Sequence, residues 1–265
     1  MKVAAIGSNC IDYYADLDGG TAYPGGGPVN MAVYTRRLGG EAAYIGPLGT
    51  DANGQRMLRA MAEKGVDTSR VRVLPGKTAV TQVALRDGER VFGDYDEGVL
   101  AGFRLSEADM DFAAACDVVV CDLWGGVETQ FAALRRRGAK LAFDAADGLD
   151  RPACAVAVPN CDYLFFSSDG GDTDALRTAM RGLHARGPSL VTAMLGEAGS
   201  LCFDGAEFHR FGVVPCAQVV DSLGAGDSYI AGFLYGLVSG RPIGACMELG
   251  AATATETLGY FGAWN

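Results

Sequence analysis

The sequence predicts an α/β protein with a mainly parallel central sheet and helices on both of its faces. Short apolar, β-branched segments alternate with segments of helical periodicity along most of the 265 residues. Such alternation is typical of right-handed βαβ units, which place successive strands parallel in one sheet. Glycine accounts for 38 residues, about 14% of the chain against a usual share of ~7%, and many of these end helices or turn hairpins.

The individual elements follow from the same patterns. Gly65 comes directly after an amphipathic segment, as a helix C-cap does, and Ser106 with Asp109 resembles a capping box that opens a short helix. The other predicted elements are strand 2–6, helix 28–38, strand 42–45, helix 53–64, strand 117–121, a helix near 128–137, strand 139–143, strand 162–166, a helix near 173–186, strand 189–194 and a hairpin of strands 200–203 and 206–211.

One hairpin stands apart from the alternating pattern. Asp87-Gly88 separates two strand-like segments, 79–86 and 89–95, and this dipeptide strongly favours a two-residue turn. The hairpin is half polar, so we expect one face to be open to solvent or ligand, with residues 10–15 joining it in a small separate sheet. The prediction is one domain, residues 1–265, with a discontinuous lid formed from about 9–23 and 78–98.

Composition and charge exclude several classes of protein. Asp and Glu exceed Lys and Arg by 32 to 22, so a net charge of −10 argues against nucleic-acid or anionic-membrane partners. The first seven residues are too short an apolar run for a signal peptide, and no segment is long enough for a transmembrane helix. Eight cysteines without a CxxC pair indicate reduced thiols in a cytoplasmic protein, and two histidines leave no His-rich metal site.

Three common active-site motifs are missing. Gly76-Lys77-Thr78 lacks the earlier glycine of a Walker A loop, and Gly7 is followed by Ser8-Asn9-Cys10 rather than by a Rossmann fingerprint. No G-x-S-x-G nucleophile elbow occurs. These absences argue against P-loop, dinucleotide-binding and α/β-hydrolase chemistry.

The glycine-rich segment Gly224-Ala225-Gly226-Asp227 precedes a helix with one apolar face. Backbone N–H groups at such a helix start can converge on an anion, and the helix dipole favours negative charge there. A carboxylate beside that site could accept a proton from an attacking hydroxyl during phosphoryl transfer. Glycine and Asp also begin many purely structural helices, so this segment alone leaves both interpretations open.

The neighbouring motifs resemble the ribokinase-like (PfkB) family of carbohydrate kinases. The family signature D-T-x-G-A-G-D-x-F-x-x-G-F is similar to residues 221–233, with Ser222 and Tyr229 as conservative changes. Its other motifs are similar to Gly25–Asn30, Gly46–Gly54 and Leu195–Gly199, in the same order. The resemblance covers essentially the whole chain and implies a three-layer ribokinase-like fold with a small β-sheet lid.

The resemblance also implies roles for individual residues. Asp227 would be the general base, with the amides of Gly224, Ala225 and Gly226 as the anion hole. The residues implied to hold the sugar hydroxyls are Asp12, Gly25, Gly26 and Asn30, and those implied to approach ATP are Gly196 and Gly199. For Asn30 the alternative is a hydrogen bond to its own helix start.

Within the family, residues 90–99 resemble the lid of members that phosphorylate the 6-hydroxyl of fructosamines such as fructoselysine. Arg90, Asp94 and Glu97 would then pair with the carboxylate and amines of the amino-acid part. The alternative is a hairpin face that is merely solvated.

The cofactors that the resemblance implies are ATP and Mg²⁺, with a monovalent cation such as K⁺ left open. The family's N-x-x-E motif, which organises Mg²⁺, is replaced by Ser167-Ser168-Asp169-Gly170, so the metal ligands are unknown; Asp169, Asp172 or water could substitute. Lid sheets pair between subunits in this family, so the expected assembly is a homodimer through the lid.

Three functions stay open from the sequence. The first is an ATP-dependent kinase acting on a fructosamine, and the second is a kinase for a plain sugar or nucleoside such as fructose or ribose. The third is a non-catalytic sugar-binding protein on the same fold, which the altered metal segment favours and the intact 224–227 segment opposes.

Overall fold

The computed structural model describes residues 1–17, 19–86 and 89–265, with the side chains in these ranges except those of residues 85, 86, 89, 90 and 92. The strands are β1 Lys2–Ile6, β2 Cys10–Tyr14, β3 Thr21–Gly25, β4 Glu41–Gly49, β5 Asp67–Leu74, β6 Val80–Arg86, β7 Glu89–Asp96, β8 Val118–Asp122, β9 Leu141–Asp144, β10 Tyr163–Ser167, β11 Leu190–Met194, β12 Ser200–Phe203 and β13 Phe208–Phe211. The helices are α1 Gly27–Arg37, α2 Ala52–Glu63, α3 Glu107–Ala114, α4 Phe131–Arg136, α5 Pro152–Ala157, α6 Asp174–His184, α7 Ala225–Val238 and α8 Ile243–Thr257.

The large sheet has nine strands in the order β13-β12-β11-β10-β9-β8-β1-β4-β5. The strands from β11 to β5 pair in parallel, while β12 and β13 add an antiparallel edge. Strand β1 lies between β4 and β8, so Ile6 pairs with Ile45 on one side and with Cys121 on the other. The predicted α/β class with a mainly parallel sheet is confirmed.

Helices cover both faces of this sheet and enclose two apolar cores. Buried residues of α3, α4, α5 and α6 pack with one face of the strands. Those of α1, α2, α7 and α8 pack with the other face. The two-sided burial explains why central strands such as β8, Val-Val-Val-Cys-Asp, are apolar almost without interruption.

The predicted helix ends are confirmed where the sequence supplied a cap. The Asp51 carboxylate accepts from the Gly54 N–H at the start of α2, and Gly65 follows its end with φ +73°. Ser106 and Asp109 form the capping box of α3. The capping box joins residues three positions apart, which is why the sequence alone could predict it, whereas the Asp51 cap was not predicted.

The sequence patterns did not predict four elements, which are β3, β5, α5 and α8. In addition, β4 extends past the predicted strand 42–45. Helix α8 consists largely of Ala, Gly and Thr and packs along α7, so it shows little polar periodicity. Strand β5 alternates charged and apolar residues at the edge of the sheet and is only half-buried.

The small sheet has the order β3-β2-β6-β7 and is separate from the large one. Strand β2 pairs antiparallel with β3 and parallel with β6, while β6 and β7 form the predicted antiparallel hairpin. The turn expected at residues 87 and 88 lies outside the described residues. Since β2 follows β1 closely and β3 leads directly into α1, this sheet adjoins the carboxyl end of β1.

Two further expectations concern membrane-spanning helices and thiols. In the described ranges, no helix is long and apolar enough to cross a membrane. All eight cysteines, each within those ranges, are free thiols, and six of them are buried.

Candidate active site

The first turns of α1 and α7 bring together two predicted site residues that are far apart in sequence. Asn30 Nδ2 donates to Asp227 Oδ2 at 2.7 Å, across 197 positions of the chain. Asn30 is 3% exposed, so its amide is fixed rather than free in solvent. Asn30, which is predicted to bind the sugar, therefore hydrogen-bonds directly to Asp227, the predicted base.

The glycine run Gly25-Gly26-Gly27 allows three carboxylates to approach the start of α1. A Cβ at Gly25 would lie 2.3 Å from Asp12 Oδ2, and one at Gly27 would lie 2.8 Å from Asp122 Oδ2 and 3.1 Å from Asp227 Oδ1. Contacts under 3.0 Å are essentially absent between real Cβ atoms and their neighbours. Side chains at these positions would force the carboxylates to move, so glycine leaves room for them.

Helix α7 begins beside the same cluster. Its N-cap, Gly224, has φ +76°, a conformation that glycine adopts readily. The N–H groups of the first helical turn have no partner within the helix and point out of its N-terminus. The Ala225 N–H donates to the Ser222 carbonyl at 3.2 Å, so the amides of Gly224 and Gly226 are the better placed donors for an anion.

Two buried carboxyl groups that the sequence motifs did not indicate complete the cluster. Asp122 and Asp144 are the last residues of β8 and β9, and they face each other in register. The Ser8 hydroxyl donates to Asp122, and the Ala146 N–H donates to Asp144 at 2.9 Å. Both strands read as apolar runs ending in Asp, and that shared pattern could have found the pair.

Burial controls the protonation of this cluster. It raises the pKa of Asp227 above its ordinary value of 3.8, while the Asn30 hydrogen bond opposes the rise. Burial, with the Asp227 charge as an additional cause, raises the pKa of Asp122 to about 7. The pKa of Asp144 is raised well above its ordinary value by burial first and by Asp227 next. Burial therefore favours the protonated form of all three carboxyl groups, and the Asn30 hydrogen bond favours the ionised form of Asp227.

The predicted nucleotide-binding turn lies next to α7. Met194, the last residue of β11, has its methyl group 3.6 Å from the Cβ position of Gly226. Gly196 has φ +56° and open space around it. Gly199 has φ +86°, and a Cβ there would lie 2.2 Å from the Phe211 carbonyl oxygen, so β13 packing requires this glycine.

The predicted residues of the small sheet divide into two groups. Asp12, on β2, is buried beside Gly25 and belongs to the cluster. Asp94 and Glu97 are exposed, on β7 and just after it, and the Arg90 side chain lies outside the described residues. Tyr95 is 37% exposed, and partial burial raises the pKa of its hydroxyl, with Cys10 and Asp122 as further causes.

The suggested substitutes for the family's metal motif differ in their surroundings. Arg177 binds the Asp172 carboxylate at 2.7 and 2.8 Å, so this carboxylate is already paired. Asp169 is exposed. Across the described residues, no group of three or more His, Cys, Asp or Glu side chains is arranged to hold a metal ion.

Comparison with known proteins agrees with this geometry. Residues 1–265 match the pfkB family carbohydrate kinase profile over the whole chain. The chain belongs to the pfkB family of carbohydrate kinases. The resemblance that the sequence motifs suggested is thus confirmed.

Individual relatives of this pfkB chain cover nearly its full length. It is 44% identical to the fructoselysine 6-kinase of Shigella flexneri over 262 residues, covering 99% of each chain. It is 30% identical to the fructosamine kinase FrlD of Bacillus subtilis, covering 100% of this chain and 93% of that one. Among solved structures, Arabidopsis thaliana ribokinase complexed with ribose and ATP superposes with a TM-score of 0.86, at 24% identity, covering 99% of this chain and 93% of that one. The last similarity confirms the ribokinase-like fold.

Proposed function

We propose that this pfkB kinase transfers a phosphoryl group from ATP to the 6-hydroxyl of fructoselysine or a related fructosamine. Full-length similarity to a fructoselysine 6-kinase supports the substrate. The proposed chemistry rests on the Asp227 carboxylate, which lies in the first turn of α7 and accepts a hydrogen bond from Asn30. That arrangement puts a proton acceptor next to backbone donors suited to a phosphoryl group.

The proposed mechanism assigns one task to each part of the cluster. Asp227 accepts the proton of the attacking hydroxyl, and the amides of Gly224 and Gly226 stabilise the transferring phosphoryl group, while the Ala225 N–H is bound to the Ser222 carbonyl. Asp12, Asn30 and the backbone at Gly25 and Gly26 hold the sugar hydroxyls. Phosphoryl transfer has a loose transition state, so positioning and charge stabilisation contribute more than base strength.

The described residues suit the phosphates of ATP better than they suit Mg²⁺. Met194, just before the turn of residues 195–199, lies against Gly226 at the start of α7, and backbone N–H groups at a helix start can receive phosphates. Mg²⁺, when bound, would neutralise charge on the phosphates. Because Asp172 is paired with Arg177, we propose that phosphate oxygens and water supply most of the metal ligands, with the exposed Asp169 as the remaining candidate side chain. A monovalent cation such as K⁺ remains a proposal without a named site.

The small sheet has a proposed role in closure and assembly. We infer that residues 9–23 and 78–98 form a lid over the sugar, with Arg90, Asp94 and Glu97 near its amino-acid part. Strand β7 is the outer strand of this sheet and is exposed, so its free edge suits pairing with a second copy in a homodimer. We also propose a cytoplasmic location.

A substrate panel tests the proposed function. Coupled assays of ADP release with fructoselysine, fructose, ribose and adenosine should give the highest kcat/KM with fructoselysine, and NMR of the product should place phosphate on the 6-oxygen. Turnover of ribose or adenosine alone would contradict the substrate. Sugar binding without any turnover would instead support a binding protein, the alternative that the altered metal segment favours.

A further inference from the structure

A segment distant in sequence completes the hydrogen bonds of Asn30. The indole Nε1–H of Trp264 donates to Asn30 Oδ1 at 2.7 Å, across 234 positions of the chain. Asn30 Nδ2 donates to Asp227 Oδ2, also at 2.7 Å. Both Trp264 and Asn30 are buried. The three side chains form one continuous hydrogen-bonded chain that ends on the proposed base.

The chemistry of the indole gives this chain a direction. A Trp side chain can only donate, so the Asn30 atom that faces it must be the carbonyl oxygen. The amide NH₂ is then turned toward Asp227, where it favours the ionised carboxylate. Without the indole N–H, the amide could rotate and present its oxygen to Asp227, which would repel the ionised form.

The segment that carries Trp264 is itself firmly attached around the site. The Gly262 N–H donates to Asp221 Oδ2 at 2.8 Å, and Asp221 also accepts from the Leu223 N–H just before Gly224. The Tyr34 hydroxyl donates to the Ala263 carbonyl at 2.9 Å. These contacts link the segment to α1, which carries Asn30, and to the loop that leads into α7, the helix of Asp227.

We propose that Trp264 is a positioning residue that fixes the orientation of the Asn30 amide and so keeps the Asp227 carboxylate aligned and ionised. The inference rests on the proposed role of Asp227 for its catalytic consequence, but the hydrogen-bonded chain can be tested without activity. The other titratable groups that face Asp227 are Asp122 on β8 and Asp144 on β9. Burial favours protonation of Asp227, and the Asn30 donor acts against it.

Kinetics test the catalytic consequence. Trp264→Phe, or replacement of Trp264 by 3-benzothienylalanine, which keeps the indole shape without the N–H, should lower kcat about tenfold. The acid limb of kcat/KM against pH should move upward by about 0.5–1 pH unit, because Asp227 becomes harder to ionise. Asn265→Ala is the matched control in the same segment: it removes the side-chain contact with Arg37 and leaves the Trp264–Asn30 bond untouched. Wild-type kcat and pH profile in the benzothienylalanine variant would overturn the proposal.

NMR tests the chain itself, independently of any reaction. The protein has two tryptophans, so an indole ¹H–¹⁵N spectrum contains two signals, and the exposed Trp124 serves as internal reference. The Trp264 signal should be protected from hydrogen exchange and should titrate with Asp227, and the titration should disappear in Asp227→Asn. A Trp264 signal that exchanges as fast as Trp124 and ignores Asp227→Asn would overturn the inference. If the signal titrates but Asp227→Asn retains activity, the chain stands and the proposed function of Asp227 fails.

Discussion

The carboxyl end of the large sheet and the small sheet beside it are built on opposite principles. At the large sheet, Asp227, Asp122 and Asn30 are fixed by buried hydrogen bonds to Asn30, Ser8 and Trp264 respectively. At the small sheet, the outer strand β7 exposes Val91 at 42% and Tyr95 at 37%. The residues proposed to react are preorganised before substrate arrives, whereas Asp94 and Glu97, proposed to contact the amino-acid part, are exposed.

This difference separates two properties of a kinase. A preorganised cluster stabilises the transition state, because its dipoles and acceptors need no rearrangement at the moment of transfer. Side-chain changes on an exposed strand alter the folding stability little, so substrate selectivity can vary there without loss of the fold. Substitutions at the cluster should therefore change kcat strongly, and substitutions on β7 should change KM weakly.

The largest effect is expected from Asp227→Asn. Loss of the proton acceptor should lower kcat on the order of 10²–10⁴-fold, while calorimetric affinity for the sugar stays nearly unchanged. The amide of residue 227 can still accept from Asn30, so local geometry is retained. A kcat within threefold of wild type would show that Asp227 is not the base.

Gly27→Ala should give the next largest effect. The new Cβ would meet Asp122 Oδ2 at 2.8 Å and Asp227 Oδ1 at 3.1 Å, so the carboxylates must shift. Displacement of this size should lower kcat about 10- to 100-fold. The matched control is Gly182→Ala on the exposed face of α6, where a Cβ meets nothing within 4 Å; it should leave kcat unchanged and stabilise the helix by about 0.5–1 kcal/mol in urea unfolding. Equal kinetics for both variants would refute the crowding argument.

The same contrast explains how much the sequence could predict. The strand–helix alternation, the capping box at Ser106 and the glycine segments at 25–27 and 224–226 are local patterns, and the structure contains each of them. Asp122 and Asp144 share one local signal, an acid at the end of an apolar strand, but only the register of β8 and β9 shows that the two are neighbours. The Trp264–Asn30 bond spans 234 positions, and no spacing rule reaches that far.

Asp122→Asn should change the pH dependence of stability. The folded-state pKa of Asp122 is raised to about 7 from 3.8, so between these values the folded state binds a proton that the unfolded state has lost. The free energy of unfolding must then fall as pH rises through this range, by up to about 4 kcal/mol from this group. Urea unfolding at pH 4, 5, 6, 7 and 8 should show a shallower decline in Asp122→Asn than in wild type.

The control for that measurement is a carboxylate with the opposite shift. The pKa of Asp204 is lowered to about 2, first by the backbone N–H of Glu207 and then by His209. Asp204→Asn should therefore leave the decline between pH 4 and 8 in place. If Asp122→Asn also leaves it in place, the carboxyl of Asp122 is not protonated in the folded protein.

The smallest effect is expected from Asp94→Ala on the exposed strand β7. An ion pair with the substrate's amine at such a site contributes about 0.2–1 kcal/mol, so KM for fructoselysine should rise roughly two- to fivefold with kcat unchanged. Fructose has no amine, so its KM should not move, and this comparison separates recognition from a general effect on the sheet. Glu248→Ala, which removes the same charge from an exposed position on α8, should alter neither substrate. A parallel rise in KM for both sugars would mean that Asp94 supports the small sheet rather than the amino-acid part, and substrate selection would then have to reside in the buried cluster with the chemistry.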